Sequence, residues 1–219
     1  MHGVTTIPGV KLYVWALAPN PRRVTMFLAE KGLSVEMVET GQPDLTLAAW
    51  YREKYPHALV PMLELADGTC IGEAMAICRY IEELYPEPRL FGADATERAL
   101  VGMWESIAYS EGLIAVAEVF RNTHPAFADR GVPGTSQAVP QIPQLAERGR
   151  ARSDLFFRKI DRQLTTNRFI VGANFSVADI TTFCTIDFAR TGKIGIPEDC
   201  GNLRRWYAEV KQRAGAAIR

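Results

Sequence analysis

Residues 59–84 read LVPMLELADGTCIGEAMAICRYIEEL, and this stretch decides how the first part of the chain folds. Its first seven residues form a largely apolar run that is entered through Pro61, and proline is tolerated at the first residue of a strand. Asp67-Gly68 is a strong signal for a tight turn, after which a second short strand returns. From Gly72 the apolar residues follow a helical spacing until Pro86 stops it. The stretch therefore predicts an antiparallel pair of strands followed by a helix.

The residues before this stretch alternate between strand and helix patterns. A strand rich in strand-forming residues stops at Ala18–Pro21, because two prolines do not fit a strand interior. A helix then ends at Gly32, which sits where a C-cap glycine belongs. The predicted elements are a strand (11–17), a helix (22–31), a strand (34–38) and a weaker helix (45–55). With the later hairpin the order is β-α-β-α-β-β-α, which indicates an α/β domain whose sheet starts with parallel pairing and ends with an antiparallel pair.

The second half of the chain shows helical patterns after a linker at Glu87–Asp94. The helices are predicted at 96–120, at 144–164, from Ser176 onward and at 202–214. A long loop rich in proline and glycine separates the first two of them. We therefore expect an α/β domain at residues 8–90 and an all-α helical domain at residues 95–219.

The composition excludes several classes of protein. The 219 residues carry 25 basic and 25 acidic side chains, so no excess positive charge points to a nucleic-acid partner. Four cysteines without a CxxC pair do not make a disulfide scaffold, and the three histidines share no metal-ligand spacing. We find no signal peptide and no apolar run long enough to cross a membrane. We expect a cytoplasmic protein with free thiols, no metal and no membrane partner.

The Val60-Pro61 bond is the first place where the sequence points to chemistry. If the bond is cis, the Val60 backbone turns outward, and its N–H and C=O become free to pair with an extended ligand. A trans proline at the start of an edge strand is the alternative interpretation, and the residues alone favour it.

Two helix starts are the other candidates. The helix that follows Gly72 begins with Glu73 and Ala74, and the N–H groups of a helix N-terminus suit a carboxylate ligand. Asn20 is suited to cap the first helix, with Pro21 at the first helical position. A cap uses the amide oxygen of Asn20 and leaves its NH₂ donors free to face a ligand.

In this order and spacing, these segments resemble the glutathione transferase superfamily. The matching stretches are 11–32, 60–65 and 67–86, and Phe175–Asp179 resembles the capping box of the family. In that box Ser176 caps a helix and Asp179 reaches back to it. The resemblance covers nearly the whole chain. It implies a thioredoxin-like domain followed by a helical domain.

The resemblance also implies a site for the tripeptide glutathione as co-substrate. The Val60 backbone would pair with the cysteinyl unit beside a cis Pro61, and Glu73 and Ala74 would hold the γ-glutamyl end at the helix start. The family usually has Ser where this chain has Ala74, so one hydroxyl contact is missing. A lost hydrogen bond to a charged group weakens binding by about 1.5–3 kcal/mol.

A second departure concerns the thiol of glutathione. The family activates it with a Tyr, Ser or Cys near the end of the first strand, and the Ser-type position is Ala18 here. Tyr13 comes too early and needs a register shift to take that role. Pro19-Asn20 is most similar to the bacterial nu class and its yeast prion-like relatives, which place an Asn beside the thiol. The resemblance thus implies that Asn20 is the catalytic residue.

Two functions follow as hypotheses. The first is a glutathione transferase whose activated thiol attacks a small apolar electrophile or a disulfide, in a homodimer as is usual in the family. The second is a non-catalytic binding or scaffold protein of the same fold, because Ala18 and Ala74 both replace hydroxyls. If the protein does thiol chemistry, the reactive sulfur is expected to arrive with glutathione and not to be one of the four cysteines of the chain.

Overall fold

The computed structural model describes residues 3–40 and 48–218 of the chain. Within these residues, the strands are β1 (Thr5–Val14), β2 (Leu33–Glu39), β3 (Met62–Glu64) and β4 (Cys70–Gly72). The helices that accompany them are α1 (Pro19–Glu30), α2 (Ala49–Lys54) and α3 (Ala74–Leu84). The predicted order β-α-β-α-β-β-α is confirmed. Residues 45–47 of the predicted weaker helix lie outside the described residues, and its remainder is α2.

The four strands form one sheet in the order β2-β1-β3-β4. β1 and β2 are parallel, because α1 crosses over between them, whereas β3 is antiparallel to both β1 and β4. The predicted tight turn joins β3 to β4, with Gly68 at a φ of 86°. The mixed α/β fold that the sequence predicted for the first part of the chain is therefore confirmed.

The first helix begins earlier than its spacing predicted. β1 ends at Val14, and Ala18 is the N-cap with an extended backbone at φ −85° and ψ 135°. Pro19 is then the first helical residue, a position where the missing N–H costs nothing. The prediction that Asn20 caps the helix and Pro21 opens it is wrong by two residues. At the other end Gly32 adopts a φ of 65°, as expected after a C-cap.

The second part of the chain is helical. Its helices are α4 (Ala95–Ile107), a π-helical turn (Ala108–Leu113), α5 (Ile114–Thr123), α6 (Pro143–Gln163), α7 (Val177–Ala189) and α8 (Gly201–Val210). One uninterrupted helix was predicted where α4, the π-helical turn and α5 now lie. The turn contains Gly112, at which a Cβ would lie 2.6 Å from the Phe156 ring. Across the described part of the chain, none of the helices combines the length and apolar character that a membrane span needs.

The chain divides into two units that differ from the predicted domains at the end of the chain. The first unit runs to Pro88 and takes in Pro133–Ser136 and the residues from Arg213 onward. The predicted bounds of the two domains, 8–90 and 95–219, stay a prediction, and in this division the residues from Arg213 onward belong to the first unit. Arg213 Nη2 donates to Glu30 Oε2 on α1 at 2.6 Å, an ion pair that no local sequence pattern reveals.

In the second unit, a single buried carboxylate joins three segments. Asp179 is fully buried, and its Oδ1 accepts from the Ile170 N–H at 3.0 Å and from Trp206 Nε1 at 2.9 Å. Its Oδ2 accepts from the Ser176 N–H at 3.0 Å, so the capping box predicted from the sequence is present. Burial raises the pKa of Asp179 to about 6, against the opposing effect of these donors. The side chain is therefore ionised at neutral pH.

Replacing Asp179 by Ala tests how much stability this carboxylate provides. The variant leaves the N–H groups of Ile170, Ser176 and Trp206 buried without their acceptor, at about 1–3 kcal/mol for each. We expect the free energy of unfolding to fall by about 3 kcal/mol or more, measured by urea denaturation followed by circular dichroism. Asp94→Ala is the matched control, because Asp94 is an exposed N-cap that accepts one N–H, from Glu97 at 2.8 Å. Its loss should be about 1 kcal/mol, and equal losses would contradict the role of Asp179.

Candidate glutathione site

The strand register brings the predicted site segments to one edge of the sheet. Tyr13 of β1 pairs with Met62 of β3, and Met62 in turn pairs with Gly72 of β4. The end of β1, the start of β3 and the end of β4 therefore lie side by side. The residues that continue from these three points include Pro61 and Glu73, which the sequence analysis selected. The first turn of α1 follows the end of β1 at the same edge.

The start of β3 offers its backbone to a ligand. The Val60-Pro61 peptide bond is cis, so the trans alternative is excluded. Pro61 is buried and Val60 is half-buried. In the part of the chain that the structure describes, no hydrogen bond between loop backbone groups involves Val60. Among the described residues these two groups therefore have no backbone partner in a loop, and groups of this kind can pair with an extended peptide.

The start of α3 has an unusual backbone. Glu73 is the N-cap, with φ 62° and ψ 119°, a conformation that residues with a Cβ rarely adopt. Its side chain is exposed and makes no capping hydrogen bond. Ala74 follows as the first helical residue and is buried. The N–H groups of this first turn have no acceptor within the helix, so they form a site for a negatively charged group.

Tyr51 of α2 and Tyr55, the residue that follows this helix, support both of these segments. The Tyr51 hydroxyl donates to the Leu59 carbonyl oxygen at 2.9 Å, directly before Val60. A Cβ on Gly72 would lie 1.7 Å from the Tyr55 hydroxyl oxygen, so only glycine fits before Glu73. Both tyrosines are buried. The side chains of Tyr51 and Tyr55 therefore fix the chain on either side of the candidate site.

The start of α1 presents few donors, and most of them belong to one residue. Of the first three helical residues, Pro19 and Pro21 have no backbone N–H. Asn20 lies between them and contributes both its backbone N–H and its side-chain amide. The N-cap residue, Ala18, has no side-chain oxygen. A ligand at this helix start therefore meets Asn20 first.

The side chain of Asn20 is held by a residue that the sequence analysis missed. Arg23 Nη1 donates to Asn20 Oδ1 at 2.9 Å, and Arg23 is only 3% exposed. The oxygen of Asn20 therefore binds a guanidinium and not a backbone N–H, which corrects the predicted capping role. The NH₂ group remains on the opposite side of the amide. The sequence does contain a feature that points to Arg23. Acidic residues are favoured near a helix N-terminus, whereas this helix has Arg22-Arg23 close to its start.

Tyr13 is committed to a different contact. It is buried, and its hydroxyl donates to Glu64 Oε2 at 2.8 Å. Glu64 also binds the ammonium group of Lys54, which lowers the pKa of that carboxyl group. Burial and the hydrogen bond to Glu64 raise the pKa of Tyr13. The Tyr13 hydroxyl is therefore engaged in a partly exposed cluster with Glu64 and Lys54.

The cysteines of the chain show no sign of activation. All four are free thiols, and all except Cys70 are buried. Burial raises the pKa of the Cys70 thiol and of the Cys200 thiol above their ordinary value. Reactive cysteines have lowered pKa values instead. Within residues 3–40 and 48–218, no three His, Cys, Asp or Glu side chains gather as metal ligands do.

Comparison with known proteins matches both units. The profile described as the N-terminal domain of glutathione S-transferase matches residues 12–89, and the corresponding C-terminal domain profile matches residues 143–209. Glutathione S-transferase 2 of Saccharomyces cerevisiae is 32% identical over 212 residues, which are 92% of this chain and 85% of that protein.

Two solved structures extend the comparison. A glutathione S-transferase of class Gtt2 from Vibrio parahaemolyticus is 34% identical with a TM-score of 0.80, over 94% of this chain and 95% of that chain. A glutathione S-transferase from Methylobacillus flagellatus with glutathione bound is 26% identical with a TM-score of 0.77, over 94% and 96% of the two chains. The similarity of the first turn to the nu class stays a prediction. The chain belongs to the glutathione S-transferase family.

Proposed function

We propose that this protein is a glutathione-dependent transferase that binds glutathione at the edge of the sheet and activates its thiol with Asn20. The observation that carries the proposal is the meeting of three features at that edge: the Val60 backbone, the start of α3 and the Asn20 amide. Family membership and a relative with bound glutathione support the choice of ligand. The cytoplasmic location and the homodimer expected from the resemblance form part of the same proposal.

Each segment has a place in binding glutathione. The N–H and C=O of Val60 pair with the cysteinyl unit in antiparallel fashion, as strand addition does. The N–H groups at the start of α3 bind the γ-glutamyl carboxylate. The exposed Glu73 carboxylate lies next to them and accepts hydrogen bonds from the γ-glutamyl ammonium group. Ala74 contributes its backbone N–H only.

A hydrogen bond from Asn20, together with the N-terminus of α1, provides enough free energy to lower the thiol pKa. A free thiol has a pKa of about 8.5, and lowering it to about 6.5 requires roughly 2.7 kcal/mol. One hydrogen bond to a charged group supplies about 1.5–3 kcal/mol. The N-terminus of α1 adds about 0.3–1 kcal/mol. Together the amide and the helix reach the required energy without a hydroxyl at position 18.

The thiolate then acts as a nucleophile. With an electrophile, its sulfur forms a bond to carbon and the leaving group departs with the electron pair of its broken bond. With a disulfide, it forms a mixed disulfide, and the other sulfur leaves as a thiolate. Both reactions share the first step, which is the one that the site supports.

The proposal predicts that Asn20→Ala raises the pKa of bound glutathione. Loss of the hydrogen bond should shift the thiol pKa upward by about 1–2 units, measured from the thiolate absorbance of the complex against pH. Asn167→Ala serves as the control, because Asn167 lies in the second unit and donates to the Gln163 carbonyl oxygen. An unchanged pKa in Asn20→Ala would contradict the role of Asn20. Failure of the wild type to bind millimolar glutathione in calorimetry would favour the scaffold hypothesis instead.

Restoring a hydroxyl at position 74 should strengthen binding. Ala74→Ser adds a donor at the first helical residue of α3, where we place the γ-glutamyl carboxylate. We expect the Kd for glutathione to fall about tenfold or more, as measured by calorimetry. The control is Ala76→Ser, which adds the same group at an exposed position of the same turn. A Kd that is equal in the two variants would argue against this placement.

Glu73→Gly should separate binding from stability. Glycine relieves the φ of 62°, so the free energy of unfolding should rise by about 1 kcal/mol. The Kd for glutathione should rise at least about tenfold, because the carboxylate partner is lost. Glu83→Gly in the last turn of α3 is the matched control, because Glu83 is exposed there, and it should lower stability by less than about 1 kcal/mol. If Glu73→Gly bound glutathione as tightly as the wild type, the assigned role of Glu73 would be wrong.

A further inference from the structure

Arg23 is a buried arginine near the start of α1, and its guanidinium donates to the side chain of Asn20. Arg23 is only 3% exposed. Burying a guanidinium is costly unless it is paired. Arg23 also lies in the second turn from the N-terminus of α1, where the helix dipole disfavours a positive charge. The first turn, Pro19–Arg22, contains no acidic residue.

The neighbouring arginine has a different partner. Arg22 Nη2 donates to the Ala216 carbonyl oxygen at 3.3 Å, in the segment that returns from the end of the chain. Arg22 therefore ties α1 to that segment. Arg23 points its guanidinium to Asn20 instead, three residues earlier on the same helix face. The two arginines carry the same charge at the same helix end but have separate contacts.

An arginine determines the orientation of an amide in a way that other residues do not. The guanidinium only donates hydrogen bonds, so it can bind the oxygen of Asn20 but not its NH₂ group. The NH₂ group is then directed away from Arg23. With the opposite orientation the amide oxygen would face the ligand, and an oxygen repels a thiolate.

The charge of Arg23 also acts on the amide electronically. A hydrogen bond from an ionised donor is stronger than one between neutral groups. It polarises the amide that accepts it, and this strengthens the bond that the NH₂ group donates in turn. Orientation and polarisation both favour a negative charge beside the NH₂ group.

We propose that Arg23 is a positioning residue that orients and polarises the Asn20 amide, and thereby lowers the pKa of the glutathione thiol. The proposal rests on the proposed function, because it needs glutathione to lie against Asn20. Arg23 does not touch the thiol and acts only through Asn20. The predicted effect therefore vanishes when Asn20 is absent.

A double-mutant cycle tests this dependence. The thiolate absorbance of bound glutathione is followed against pH in the wild type, Asn20→Ala, Arg23→Met and the variant with both changes. We expect Arg23→Met to raise the thiol pKa by about half of the Asn20→Ala shift. The double variant should equal Asn20→Ala alone. Arg23→Lys should recover part of the shift, because lysine is also a charged donor.

Arg22→Met is the matched control, since it removes the same charge from the neighbouring residue. It should leave the thiol pKa unchanged. The rate of conjugation to an activated aryl halide gives a second readout. At pH values below the thiol pKa, the kcat/KM of Arg23→Met should be lower than that of the wild type. At a pH where the thiol is fully ionised, the two kcat/KM values should be equal. If Arg23→Met fails to fold, Arg23→Gln takes its place, because it keeps a neutral donor and should give a smaller shift.

The outcomes separate the two proposals. If Asn20→Ala shifts the thiol pKa and the Arg23 variants do not, the inference about Arg23 is overturned while the proposed function stands. An equal shift in Arg22→Met and Arg23→Met, or additive shifts in the double variant, also overturns it, because the effect would then bypass Asn20. If Asn20→Ala produces no shift, the proposed role of Asn20 fails first.

Discussion

The antiparallel pairing of β3 with β1 and β4 is the constraint on which the candidate site depends. The short strand β3 lies between two neighbours, so its register fixes where all three chain segments leave the sheet. Pro61 ends the ladder at that point, because it has no N–H to donate. The buried side chains of Tyr51 and Tyr55 hold the segments on both sides. A slip of one residue in β3 would turn Met62 to the opposite face and separate the site.

The two helices at this edge have complementary chemistry. The start of α3 provides backbone N–H groups and the carboxylate of Glu73, which suit a ligand end that carries both charges. The start of α1 has lost two backbone donors to proline and concentrates its remaining donors in Asn20. In the proposed function, one helix therefore serves binding, and the other serves the thiol. The arginine pair on α1 divides in the same way: Arg22 holds the helix in place, and Arg23 holds the amide.

Local patterns in the sequence were enough to predict much of this structure. The element order, the glycine at position 32 and the capping box at Ser176 all depend on residues within a few positions of one another. The role of Asn20 as a cap was wrong, because the extended backbone of Ala18 starts the helix at Pro19. The contact of Arg23 with Asn20 was missed, since periodicity does not show which buried charge meets which amide. The ion pair between Arg213 and Glu30 spans most of the chain, so no window of sequence reveals it.

That ion pair has a consequence for the order in which the protein is completed. Glu30 also accepts the Gly215 N–H at 3.3 Å, and a Cβ on Gly215 would lie 2.8 Å from the Met26 backbone oxygen. During synthesis the outer face of α1 emerges early, while the residues that cover it emerge after the whole helical unit. At about 5–20 residues per second, roughly 10–40 seconds separate the two. The contacts of α1 with Arg213 and Gly215 can therefore form only after the whole helical unit has been synthesised.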